Sequence, residues 1–177
     1  LGLEEVHVPA NFGEVHYLTF TFPYSHGLVA SLAWSAAAFG VARAFGWNAR
    51  AGVVVAATVF SHFLLDALVH VVGLPLLGSG SYGLGLGLWR HTGLEVALEC
   101  LIVGLGWWIY LGSPRPARGG ARWGLGGAVV LCALLTVAGG LATTPPPGSG
   151  AMAVTSLAAI GLLSALAFWL DPREPAR

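Results

Sequence analysis

Two short stretches of this 177-residue chain carry imidazoles and carboxylates at the spacing of a helix face. SHFLLDALVH holds His62, Asp66 and His70, and RHTGLEVALE holds His91, Glu95 and Glu99. Residues four apart on an α-helix stand one above another, so each set of three drifts only about 80° around the axis and shares one stripe. His26, in FPYSHGL just after Pro23, adds a third set of donor atoms. Imidazole nitrogens and carboxylate oxygens on neighbouring helices are the donors a zinc-type ion takes, and HxxxD on one face is a common way for helical bundles to present ligands. The candidate metal ligands are therefore His26, His62, Asp66 and His70, with zinc as the metal their donor mix favours. Glu95 and Glu99 are the candidate general bases.

Each of these residues also has an ordinary reading. A lone intramembrane histidine is often only a helix–helix hydrogen-bonding group. Glu95 and Glu99 could equally make a buried ion pair with Arg90. His91 reads as interfacial, and His7 and His16 as surface residues. Ser25–His26 and Ser61–His62 are adjacent pairs. Neighbours on a helix point apart, so neither reads as a catalytic dyad. GLGLGL at 83–88 has no strand before it and is not a GxGxxG fingerprint; it reads as a flexible loop leading into a helix.

The elements that must hold these groups follow from composition. The chain is 56% hydrophobic and 9% charged, with mean hydropathy +0.77. A soluble domain carries about 25% charged residues, so sixteen charges cannot coat a globule of this size. That excludes an ordinary cytosolic enzyme, a disordered tail and a nucleic-acid binder. Five apolar stretches reach the roughly 20 residues that span a bilayer: 25–47, 51–72, 88–111, 123–142 and 151–170. Pro- and Gly-rich breaks separate them, such as GSPRPARGGAR and TTPPPGSG. The expected fold is all-α, a polytopic membrane bundle of five transmembrane helices over 25–172. Residues 1–24 are an external N-terminal segment, and 173–177 a cytoplasmic tail. Cys100 and Cys132 lie inside apolar runs, form no CxxC motif, and read as core thiols.

Charge orients the bundle. There is no lysine, and seven of the eight arginines (Arg43, Arg50, Arg115, Arg118, Arg122, Arg173 and Arg177) fall on alternate connections. Only Arg90 faces the other way, with the acidic Glu4, Glu5 and Glu14. The positive-inside rule then puts the N-terminal segment outside and the C-terminus in the cytoplasm. Trp47, Trp107, Trp108, Tyr110, Trp123 and Trp169 would form the inner aromatic belt, and Tyr24, Tyr82 and Trp89 the outer one. In that topology His26, His70 and His91 lie near the outer surface. Asp66 and Glu95 come about one turn deeper, and His62 and Glu99 roughly 12 Å below the outermost members of their stripes.

The run LGLEEVHVPANFGEVHYLTFTFPYSHGL, then SHFLLDALVH, GLPL and GLGLWRHTGLEVALE resembles a family of bacterial inner-membrane, membrane-bound metal-dependent hydrolases that includes LexA-binding inner-membrane proteins. The family's His–Ser step, HxxLD motif and GLGLW loop with a following Glu correspond here to Ser25–His26, to His62 with Asp66, and to Gly85–Trp89 with Glu99. The likeness covers about residues 1–99. Where the family often has HRxxTHS this chain has TFPYSHG, which removes one expected histidine. The family also carries an earlier helix with a Gly–His and an Asp, so the resemblance implies one more span before Leu1.

What the resemblance implies is a metal-dependent hydrolase of the bacterial inner (cytoplasmic) membrane, acting near the outer leaflet on a lipid-like or amphipathic ester. The competing reading is a non-enzymatic accessory subunit of a larger membrane complex, its histidines ligating haem or chlorophyll. A proton- or ion-conducting stripe is a third. Membrane lipids, and in the second case other membrane subunits, are the expected partners. Nucleic acid is not one of them.

Overall fold

In the computed structural model residues 4–71, 73–78, 83–113, 119–145 and 148–170 are described. Tyr82, Arg115, Arg118, Arg173 and Arg177, on which part of the orientation argument rests, lie outside them, as does the 173–177 tail. The chain divides into two compact units, Leu1–Thr92 and Gly93–Arg177.

The first unit begins with a short hairpin. The alternating runs EVH and TFT form β1 (Glu5–His7) and β2 (Thr19–Thr21), each turning its middle residue inward. Glu5 pairs with Thr21 and His7 with Thr19. Between them a single helical turn, α1 (Phe12–Val15), buries Phe12. Pro23 is buried in the turn after β2, and Gly27 opens α2 (Leu28–Ala44) in an extended conformation. A β-carbon on Gly27 would sit 2.9 Å from the Pro23 carbonyl oxygen and 3.2 Å from that of Pro75. Only glycine lets these two stretches of backbone approach so closely.

The Asn48 side chain accepts the Ala51 N–H at 2.9 Å and so caps α3 (Ala49–Val69). Asn is among the best N-caps because its oxygen satisfies one of the orphan amides of the first turn. The α2–α3 pair is a helical hairpin. Gly52 of α3 lies against the Phe39 ring, while Ser31 and Ser35 are buried in α2. The Ser35 hydroxyl is satisfied within its own helix, donating to the Ser31 carbonyl at 2.7 Å.

At the far end of α3 the expected flexible loop is instead a cap. β3 (Leu74–Pro75) and β4 (Gly83–Leu84) pair antiparallel. The amides of Leu86 and Gly87 then donate to the carbonyls of Ala67 and His70, both at 2.9 Å. Carbonyls of a last helical turn have no partner within the helix, and this loop supplies two. Gly87 reaches its place at φ +75, a left-handed conformation that favours glycine. A single 3-10 turn, Leu88–Arg90, leads to α4 (Thr92–Leu111).

The second unit holds α4, α5 (Gly120–Gly140) and α6 (Ser149–Leu170). Small residues set its contacts: Gly124 of α5 lies against the Leu170 side chain of α6, and Gly126 against the Trp107 ring of α4. Cys100 and Cys132 are free and half-buried.

Among the described residues, four helices are long and apolar enough to cross a membrane: Ala49–Val69, Thr92–Leu111, Gly120–Gly140 and Gly150–Leu170. In the last three no residue of the apolar window is buried within the chain. Leu157, Ile160 and Leu162 on α6 are each more than half exposed. Such faces need an apolar surrounding, since water would oppose exposing them by roughly 25 cal/mol per Å².

The helical, apolar character expected from composition is present, with two departures. The first expected span, 25–47, is the 17-residue helix Leu28–Ala44, shorter than the other four, because Pro23 and the extended Gly27 hold residues 23–27 in a turn. The two small β-pairs also stand outside an all-α description.

Candidate metal centre

The hairpin register decides where the first part of the site goes. With Glu5 opposite Thr21, Glu4 reaches the turn that follows β2. Its Oε1 accepts the backbone N–H of Ser25 at 2.7 Å and of Tyr24 at 3.1 Å. The Ser25 hydroxyl lies 2.8 and 2.9 Å from the two Glu4 oxygens and 2.5 Å from Nδ1 of His26. Sequence neighbours on a helix would point apart. Ser25 and His26 precede the helix, and their side chains meet.

The other edge of the His26 ring faces α3. Its Nε2 is 3.8 Å from Asp66 Oδ2, and His62 Nε2 is 3.4 Å from the same oxygen. The two imidazole centroids are 5.0 Å apart. One donor atom from each of His26, His62 and Asp66 lies within 4.8 Å of the others. The Asp66 side chain is only 13% exposed, and its Oδ2 is buried without a hydrogen-bond partner. A buried acceptor left unpaired costs about 1–3 kcal/mol, and more when charged, so this oxygen marks a place for a cation or a proton. His62 forms the opening, with 61% of its side chain exposed.

These residues fit a small divalent ion. Four donors arranged tetrahedrally about zinc at 2.0–2.2 Å stand about 3.3–3.6 Å apart. The two nitrogen-to-Oδ2 distances lie at and just beyond that edge. Three protein donors would leave the fourth position of a tetrahedral ion free.

His70 approaches the other oxygen. Its Nε2 is 4.0 Å from Asp66 Oδ1, outside the three-residue group. The ring is buried against Trp89 at a centroid distance of 4.3 Å and Phe20 at 5.4 Å. His26 and His70 lie outside the spanning helices, and burial is the largest influence on both. It lowers His26 below 6.5, with His62 acting in the same direction and Asp66 and Glu4 opposing. It pushes His70 down to about 4, aided by the charges His26 and His62 would carry. Both rings are neutral at neutral pH, the form in which imidazole binds metals.

Compared with protein-family models, curated proteins and solved structures, the chain matches none. The site therefore stands on its own geometry.

That geometry joins three of the four sequence-derived ligands and sets His70 beside them. Glu95 and Glu99 belong to the second unit, where their side chains hydrogen-bond to each other. His26, expected near the outer surface with His70, has its ring centroid 5.0 Å from that of His62, carried there by the turn in which Gly27 packs against Pro23 and Pro75. Trp89, expected in an aromatic belt, covers His70. Glu4 and Ser25 were not among the expected site residues. The signals that point to them were a proline two residues before Ser25 and the alternating TFTF of a strand ahead of it.

Proposed function

We propose that the chain is a membrane metalloprotein whose His26–His62–Asp66 centre holds a divalent ion, zinc by its donor set, and serves hydrolysis of an amphipathic ester or phosphoester. The observation that carries this reading is Asp66 Oδ2, buried without a donor between two imidazole nitrogens. When bound, such an ion supplies water as a nucleophile at neutral pH.

The chain's own residues supply the rest. Two imidazoles and one carboxylate supply the donors and offset one of a divalent ion's two charges, and the exposed edge of His62 leaves the approach to the fourth position open. That edge lies on an apolar helix, which supports a lipid-like substrate over a water-soluble one. The resemblance of residues 1–99 to inner-membrane metal-dependent hydrolases supports the same reaction class.

Protein purified in detergent and dialysed against zinc tests this reading. One zinc per chain is expected for the wild type and none for Asp66→Ala. The zinc-loaded wild type should cleave acyl esters or phosphoesters in mixed micelles, and the variant should not. A wild type without stoichiometric zinc refutes the centre. Stoichiometric zinc with no hydrolysis of either class refutes the reaction.

A further inference from the structure

We propose that Glu4 and Ser25 are positioning residues of this centre: they hold the neutral His26 proton on Nδ1 and leave the Nε2 lone pair facing Asp66 Oδ2. The inference rests on the metal-site reading for its purpose, and on hydrogen-bond chemistry alone for its content.

Proton counting leads to it. Glu4 Oε1 already accepts two backbone N–H groups, from Tyr24 and Ser25, so the carboxylate acts as an acceptor here. The Ser25 hydroxyl has one proton and touches two kinds of partner, the Glu4 oxygens at 2.8 and 2.9 Å and His26 Nδ1 at 2.5 Å. Were that proton given to Nδ1, Ser25 Oγ and the Glu4 oxygens would meet as bare acceptors at hydrogen-bond distance. Given to Glu4, it leaves the hydroxyl lone pairs free to accept N–H from His26 Nδ1, and every contact is satisfied. A neutral imidazole carries one ring proton, so Nε2 is then an acceptor.

The consequence lies on the opposite side of the ring. Nε2 faces Asp66 Oδ2 at 3.8 Å, too far for a direct hydrogen bond. Two acceptors are thus aimed at one another across a gap of the width that a cation fills. Outer partners of metal-bound histidines commonly fix the tautomer this way, and their loss costs about 10–100-fold in metal affinity. Here the outer partner is a serine bridging to the carboxylate of Glu4, just ahead of the first hairpin strand and 21 residues away in sequence from Ser25.

Nitrogen NMR of the metal-free protein in detergent micelles, with zinc titrations of the same samples, tests the relay. The His26 signals, identified by their loss in His26→Gln, should show Nδ1–H in the wild type. Ser25→Ala should move His26 toward the Nε2–H form and weaken zinc binding by about 10–100-fold. Ser25→Thr, which keeps the hydroxyl, should retain both properties, and Glu4→Gln should lose part of each. A wild-type His26 protonated on Nε2, or a tautomer unchanged in Ser25→Ala, overturns the relay. If the tautomer responds as stated but the wild type binds no zinc, the relay stands and the metal reading fails.

Discussion

Asp66 Oδ2 and His62 Nε2 lie 3.4 Å apart, one turn apart on the same helix, and the oxygen has no hydrogen-bond donor. The contact is cheap to form, because i and i+4 side chains already share a face. It is costly to leave bare, because the oxygen is shut away from water. His26 arrives at the same oxygen from a different element, and that makes a polar stripe into a centre.

The three converging residues should rank differently from their neighbour in zinc titrations. His26→Ala and His62→Ala should each weaken binding by more than the roughly 10–100-fold typical of an outer partner, and His70→Ala should fall within that range. Isothermal titration of each variant measures the order. Equal losses at His70 and His62 would make His70 a direct ligand.

Metal removal should destabilise the first unit. A ligand present at 100 times its dissociation constant adds about 2.7 kcal/mol to folding stability. Thermal melts of the zinc-loaded wild type should therefore shift down on adding a chelator, while Asp66→Ala should melt at one temperature with or without it.

Gly27→Ala should lower the melting temperature. The new β-carbon meets two carbonyl oxygens, of Pro23 at 2.9 Å and Pro75 at 3.2 Å, and backbone cannot swing aside as a flexible side chain can. A loss of about 1–3 kcal/mol is expected from overpacking. Gly40→Ala is the control. Nothing lies within 4 Å of its β-carbon position, and a mid-helix Gly→Ala change gains roughly 0.5–1 kcal/mol.

Acid should weaken the metal-free fold through His70. Unfolded, this imidazole titrates near 6.5; folded, burial holds it at about 4. Between those values the unfolded chain binds the additional proton, so stability is full above about 6.5 and declines as the pH falls toward 4. Melts across that window should show the slope, and His70→Phe should flatten it. A slope of the opposite sign, with the fold gaining stability as His70 protonates, would show that the ring is charged in the native state.

Residues in a continuous apolar helix are legible one at a time. The helices Ala49–Val69, Thr92–Leu111, Gly120–Gly140 and Gly150–Leu170, each long and apolar enough to cross a membrane, follow from apolar length. The stripe His62–Asp66–His70 follows from the 3.6-residue period, because both are properties of local sequence. Asn48 and the prolines mark their boundaries by equally local chemistry.

The partner of His26 is of another kind. Nothing between Glu4 and Ser25 in sequence announces that a three-residue strand pair with Glu5 opposite Thr21 will bring them to hydrogen-bond distance. Nor does GLGLGL announce that its amides will close the end of α3. Strand register and loop-to-helix capping depend on which distant backbone groups find each other, and pairing free energy of that kind is not written in any local period. Composition and spacing by themselves determined that this protein is apolar and helical, with a histidine–aspartate stripe on one helix. The order of the helix ends already made His26 a candidate third ligand. Tertiary structure alone decided that a serine and a glutamate stand behind it and that His70 stands beside the centre, because these depend on backbone pairing between segments far apart in the chain.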